Sequence, residues 1–300
     1  MRADAPRVRR AIVLPILASV LVVTQVAFAA QVTIDTVALE GVGASWDPAA
    51  GYGYGLGGAP CLGPSDARGY TGAEDAALGE RGDAFDGGLY LWVGARLYDD
   101  RDGFGERVGQ RLRTGPEKTG RLVVTRFDEA LQSGPTLRTL VKLENPARKD
   151  VSVRIAWDSA LGGDERSATR GSSASPAEAT TKADRWTVVS DSPSDGGLQD
   201  PVVTFVVYGP GKVRATSRQV PLAPEEVTDL ELEGCIAFRF RVSVPAGQTR
   251  YLLFFTELRE TNSLAIDRAP RFLRATPGEG LLEGVRPKIA RRILNWNFTG

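Results

Sequence analysis

The feature that most limits what this chain can fold into is its period-two hydrophobic pattern. Val151-Ser-Val-Arg-Ile-Ala-Trp-Asp158 sets Val151, Val153, Ile155 and Trp157 on one face and Ser152, Arg154, Ala156 and Asp158 on the other. Cys235 to Val244 repeats the pattern, with Ile236, Phe238, Phe240, Val242 and Val244 opposite Arg239, Arg241 and Ser243. Successive side chains of a strand point to opposite faces, so these are strands with one buried and one wetted side, as antiparallel sheets use. Further strands are predicted over 32–38, 89–97, 121–128, 136–144, 186–190, 202–208, 213–220, 228–233 and 249–256. Turn signals separate them, among them Glu144-Asn145-Pro146, Gly209-Pro210-Gly211-Lys212 and Pro245-Ala246-Gly247-Gln248. Val202–Tyr208 and Tyr251–Thr256 are apolar on both faces and belong at the centre of a core. The expected fold is all-β, an antiparallel two-sheet β-sandwich.

Two segments depart from this rhythm. Residues 41–83 are Gly-rich around Gly51-Tyr-Gly-Tyr-Gly-Leu-Gly-Gly58, and residues 159–184 are small and polar. Both read as long surface loops, which either carry binding residues or are plain excursions. Helical signals are confined to the C-terminus. Asn262 to Leu273 places Leu264 and Phe272 among charges, and Leu281, Val285, Ile289 and Ile293 recur every four residues across Pro287. They predict a short helical cap closing one end of the sandwich. The expected organisation is a leader over 1–29, an N-terminal strand and Gly-rich excursion over 30–82, a sandwich core over 83–260, and the cap over 261–300 on the same domain.

The leader is legible in its three parts. Arg2, Arg7, Arg9 and Arg10 make a basic start, Ala11 to Val26 is uncharged and mostly apolar, and Ala27-Phe28-Ala29 gives a small-residue cleavage site. This is the pattern of a signal peptide, with an uncleaved N-terminal anchor as the alternative, so the chain is expected to be exported. Its location would be extracellular, at the cell surface or periplasmic, and it would meet a membrane only through that leader. Removing residues 1–29 takes 37 basic and 37 acidic residues to 33 and 36, a net of −3. Such a charge balance lacks the basic footprint of a nucleic-acid binder. In an oxidising compartment Cys61 and Cys235 form a natural disulfide pair, worth about 4–5 kcal/mol for so long a loop. A buried, unpaired Cys235 is the other reading.

Histidine is absent from all 300 residues. That excludes Ser-His-Asp and Cys-His nucleophile systems, His-ligated zinc and imidazole proton shuttles. Gly53-Tyr-Gly-Leu-Gly-Gly58 matches a dinucleotide fingerprint in letters only, because Ala59-Pro60-Cys61-Leu62-Gly63-Pro64 cannot start the helix that receives a pyrophosphate. No cofactor is expected, calcium excepted. Calcium takes about six to eight oxygens, and Asp100, Asp102 and Glu106 around Gly103 are candidates. Tyr98 and Gly109 fall where an EF-hand loop needs its end ligands, so a solvated turn is the competing reading. Asp158 and Asp164 could form the paired carboxylates of glycoside hydrolysis, although Asp beside Gly is also ordinary turn chemistry. Tyr90 and Trp92 share one strand face and could stack on a sugar ring, the alternative being burial beneath the Gly-rich segment or the cap.

Several phrases together resemble a known class. They are Asp83-Ala-Phe-Asp-Gly-Gly-Leu-Tyr-Leu-Trp-Val93, Thr125-Arg126-Phe127, Leu137 to Pro146, Val151-Ser-Val153, Leu161-Gly-Gly-Asp164, Gly171-Ser-Ser173, Asp184-Arg-Trp-Thr-Val188 and Gly209-Pro210-Gly211. Their order, over about residues 83–256, resembles exported bacterial β-sandwich domains of unknown function found in multidomain surface proteins. More distantly the chain looks like the supersandwich folds of carbohydrate-active enzymes. The resemblance implies a non-catalytic module and carries over no catalytic residues. The function expected is therefore an exported binding or scaffolding module whose partner is a polysaccharide or another envelope protein. The alternative is a carbohydrate-binding or carbohydrate-active protein, hydrolase- or lyase-like, using sandwich-face aromatics and carboxylates.

Overall fold

The computed structural model describes residues 29–34, 37–50, 71–85, 87–99, 103–161, 168–173, 184–192, 194–195, 198, 200–209, 216–219 and 235–298. Nearly all of the expected leader, the Gly51–Gly58 run, Cys61, Asp100, Asp102, Asp164 and the strand expected over 228–233 lie outside the described residues.

Among those residues the chain forms seventeen strands. In order they are β1 (Ala30–Thr33), β2 (Leu39–Glu40), β3 (Ala44–Ala50), β4 (Thr71–Leu78), β5 (Tyr90–Val93), β6 (Arg96–Leu97), β7 (Phe104–Val108) and β8 (Arg111–Thr119). There follow β9 (Leu122–Leu131), β10 (Thr136–Glu144), β11 (Val151–Ala160), β12 (Ala168–Ser172), β13 (Trp186–Ser190) and β14 (Val202–Val206). The last three are β15 (Thr216–Gln219), β16 (Cys235–Val244) and β17 (Thr249–Arg259). They build a nine-stranded sheet in the order β1-β7-β8-β9-β10-β17-β14-β13-β12, a five-stranded sheet β15-β16-β11-β5-β6 and a three-stranded sheet β2-β3-β4. Neighbouring strands pair antiparallel in all three, as one-sided alternation demands.

The alternating segments behave as read. Along β11 and β16, Ile155, Trp157, Phe238, Val242 and Val244 are buried while Ser152, Arg154, Arg241 and Ser243 are exposed. Trp157 stacks on Phe254 of β17 at 4.7 Å, and Phe238 meets Phe205 of β14 at 5.8 Å, so the five- and nine-stranded sheets share one apolar core. β14 and β17 are interior strands of the larger sheet and buried on both faces. Leu252, Phe254 and Leu258 enter the core between the sheets, whereas Leu253 and Phe255 enter a second apolar cluster on the opposite face.

The C-terminal cap fills that second cluster. It comprises α1 (Asn262–Arg268), 3-10 turns over Ala269–Arg274 and Gly280–Leu282, and α2 (Pro287–Ala290). Thr261 caps α1 by accepting from the Leu264 N–H, as a threonine before a short helix does. Phe272, Leu282, Val285, Ile293 and Trp296 pack on Leu253, Phe255, Val202 and Val206. The cap therefore covers an outer face of the nine-stranded sheet instead of closing an end, and Leu264 is exposed on its far side. Buried Asn295 fastens it, donating to the carbonyls of Val207 and Leu253 and accepting from the Leu253 N–H.

The described flanks of the Gly-rich region, 41–50 and 71–83, correct the loop expectation. Ala44–Ala50 and Thr71–Leu78 are paired strands, and Trp46 is buried against Phe85, which leads on to Phe205. Small residues serve a close approach here. A Cβ on Gly72 would fall 2.5 Å from the Gly88 carbonyl and 2.6 Å from the Tyr90 ring. Within 159–184, β11 continues to Ala160 and β12 adds an edge strand beside β13.

Candidate functional site

The aromatic and acidic residues singled out by sequence do not come together at a surface. Tyr90, Trp92 and Asp158 share the face of the five-stranded sheet opposite Trp157, but they are 0%, 9% and 0% exposed. Trp92 Nε1 donates to Asp158 Oδ1 at 2.8 Å, and Gly72 of β4 lies against the Tyr90 ring. The sugar-stacking platform is therefore corrected: the three-stranded sheet approaches this face and the rings are part of the interior. Glu106 is a surface residue whose Oε2 accepts from Arg113 Nη1 at 2.6 Å. No cluster of three acidic, Cys or His side chains is placed to hold a metal among the described residues. Cys235 begins β16, but the expected bond to Cys61 falls outside what the structure describes.

The polar groups that do converge are arginines of the nine-stranded sheet, on its two faces. On the inner face Arg126 is sealed between the sheets. Its Nε and Nη2 donate to Asp128 Oδ2 and Oδ1 at 2.6 and 3.1 Å, and Nη1 donates to the Leu89 carbonyl at 2.6 Å. Thr139 Oγ1 donates to the same carboxylate at 2.6 Å, and the guanidinium lies 4.9 Å from the Trp157 ring. A buried ion pair of this kind is sustained by geometry and by saturating its remaining donors and acceptors.

The outer face is built in rows that the register dictates. One row crosses five strands as Val108, Arg111, Glu129, Arg138 and Phe255. The next runs Glu106, Arg113, Phe127, Leu140 and Leu253. The cap covers the Phe255 and Leu253 end of both rows. The β7 end is open, with Val108 40% and Phe104 45% exposed. Where cover stops there is a cavity of about 250 Å³, with Arg111, Phe127, Glu129 and Leu140 on the sheet side. Val285, Arg286 and Ile289 form its cap side, and Arg138 lies between them.

Two of the three arginines of this cleft have defined surroundings, and the third, Arg286, is exposed. Arg138 Nη1 donates to the carbonyls of Leu281 and Glu283 at 2.9 and 2.8 Å, and Nη2 donates to Glu129 Oε2 at 2.6 Å. Arg138 thus ties the cap to the sheet. Arg111 has its guanidinium 4.6 Å from the Phe127 ring and makes no hydrogen bond among the described residues. Burial pushes its pKa down, Glu129 pulls it back up, and Arg138 and Arg113 push it down again. A guanidinium stays cationic at neutral pH all the same. Three arginines against one glutamate leave the cleft two positive charges in surplus. It offers N–H donors, one carboxylate acceptor and an apolar wall, a set of groups whose net charge suits an anion.

Sequence reading passed over these residues because an arginine on the polar face of an alternating strand looks like solvated surface. The one signal was density: Arg111, Arg113, Arg126 and Arg138 fall within three consecutive strands.

Comparisons with known proteins give no family. No family model matches the sequence, and no curated protein matches it. Distant structural similarity exists to a polysaccharide lyase, with TM-score 0.39 and 12% identity over 73% of this chain and 33% of that one. A candidate kojibiose phosphorylase from the human microbiome gives TM-score 0.38 and 8% identity over 81% of this chain and 33% of that one. The chain thus spans about a third of either protein, and at these scores neither bears on its activity.

Proposed function

We propose that this chain is an exported bacterial binding or scaffolding module, a supersandwich-like β-sandwich that holds its partner at the cleft beside the C-terminal cap. The partner is a polysaccharide or an envelope protein, and the module acts at the cell envelope or outside the cell. The single observation that carries this reading is Arg111: a half-buried guanidinium on an aromatic ring, at the edge of a cavity, with no hydrogen bond among the described residues. Its neighbour Arg138 is spent on holding the cap, and Arg126 is spent inside the core. A donor left over at a partly enclosed site is what recognition uses, since a ligand that supplies the acceptor gains a charge-assisted bond there.

The test is retention of the full chain on immobilised acidic and neutral polysaccharides, with Arg111→Ala beside it. Retention that Arg111→Ala abolishes, while the variant keeps the parent melting temperature within a few degrees, is the expected result. Retention indifferent to Arg111, or none across a diverse panel of polysaccharides and envelope proteins, overturns it.

A further inference from the structure

The geometry points to the chemical class of the ligand, an inference that rests on reading this cleft as the binding site: we propose that it takes a polyhydroxylated carboxylate, the chemistry of a uronic-acid unit. The carboxylate meets Arg111 and a hydroxyl meets Glu129.

Four properties of the cleft lead there. Phe127 occupies one face of the Arg111 guanidinium, so a ligand engages its N–H edge. That planar fork matches the two oxygens of a carboxylate. Glu129 uses Oε2 on Arg138, and its ionised carboxylate can only accept, so any further partner must bring a donor. A hydroxyl supplies one without adding charge. The surplus of two positive charges favours a ligand with net negative charge over a zwitterion such as a free amino acid, whose ammonium and carboxylate cancel. Charge alone would draw a dianion such as phosphate at least as strongly, so what sets the sugar acid apart is a hydroxyl for Glu129 and a C–H face for the apolar wall, beside the carboxylate.

Shape agrees with the charges. Leu140, Val285 and Ile289 give the cleft an apolar wall for the C–H face of a ring. Its volume of about 250 Å³ sits below the roughly 300–1,000 Å³ of drug-sized sites, so it admits one unit at a time. The open end towards Val108 and Phe104 lets a polymer continue past the occupied unit.

The experiment is calorimetric or NMR titration of the full chain with sodium glucuronate, and with glucose, acetate, alanine and inorganic phosphate as separate probes. Glucuronate is expected to bind at least about tenfold more tightly than any of the others. Arg111→Ala is expected to remove that binding, and Arg111→Lys to restore only part of it, because an ammonium keeps the charge and loses the fork. Glu129→Gln supplies a readout that misfolding cannot mimic: acetate and phosphate gain affinity as the repulsion goes, while the preference for glucuronate over acetate shrinks. Phosphate or alanine binding as well as glucuronate, glucose binding as well as glucuronate, or no response to glucuronate each overturns the inference. Binding of glucuronate without retention on any polymer breaks the module reading alone. Retention through Arg111 with no response to glucuronate breaks only the ligand assignment.

Discussion

Arg126 and Arg111 sit on neighbouring strands of the same sheet, yet one is sealed in the interior and the other borders a cavity. Arg126 has Asp128 on two nitrogens, the Leu89 carbonyl on a third and Trp157 against its face. Arg111 has a ring on one side, Glu129 nearby, and a cavity in front of its donors. The difference lies in saturation more than in burial. A guanidinium with its donors filled by its own chain is architecture, and one with donors in reserve is open to water or to a ligand. Arg138 stands between the two, nearly buried and fully committed, but committed to the cap.

That contrast can be broken most directly at Arg126. Replacing it with Met leaves the Asp128 carboxylate uncompensated between the sheets, and a loss of about 3–5 kcal/mol in denaturant unfolding is expected. A loss below about 1 kcal/mol would mean that the inner pair does not support the fold and that saturation is a poor guide. A smaller effect is expected at Gly209, where a Cβ would fall 1.9 Å from the Trp296 ring. Gly209→Ala should cost about 1–3 kcal/mol as the cap shifts away from β14 and β17. Glucuronate binding should fall with it if the cap forms half of the cleft.

Glu257 sharpens the comparison through pH. Burial raises its pKa above the ordinary 4.5, opposed by Arg271 and Arg259, which pair with it, and by Arg268. The folded chain then binds the proton more readily than the unfolded chain does. Stability from this group is full below the ordinary value and is lost as pH rises through the raised one. Glu257→Gln should flatten that part of a melting-temperature profile, and an unchanged profile would remove Glu257 from the account. The smallest effect is expected at Arg111 itself. Arg111→Ala gives up the contact with Phe127, about 0.5–1 kcal/mol, and an attraction to Glu129 that Arg138 and Arg113 oppose.

The legible parts of the fold were those with alternating side chains. Thr136–Glu144 and Trp186–Ser190 form strands over the residues expected, and the two doubly apolar segments are the interior β14 and β17. What escaped were strands whose pattern carries little contrast. Ala44–Ala50 holds Ala, Ser, Asp and Pro around a single Trp46, and Arg111–Thr119 is interrupted by Gly115 and Pro116. Their pairing is settled by neighbours far along the chain, since β3 finds β4 across twenty intervening residues. The cleft was harder still. Arg138 and the carbonyls it holds are 143 and 145 residues apart, so nothing local signals that a helical tail returns to enclose one end of the arginine row. Tyr90 and Trp92 misled for the opposite reason: their alternation was genuine, and a third sheet, unforeseen, lies over one of them.

The position of β17 has a consequence for how this molecule comes into being. Among the described residues, strands β1 and β7 to β10 meet β12 to β14 only through it, yet it is the last of the strands. A polypeptide emerging from its N-terminus therefore carries two separate half-sheets until residue 259 is free. Neither can zip to the other by local closure, because the splint arrives last. Nonlocal pairing of this kind is slow to form. The large sheet is thus completed only when Thr249–Arg259 pairs with β10 on one side and β14 on the other, and the tail behind it covers the joint.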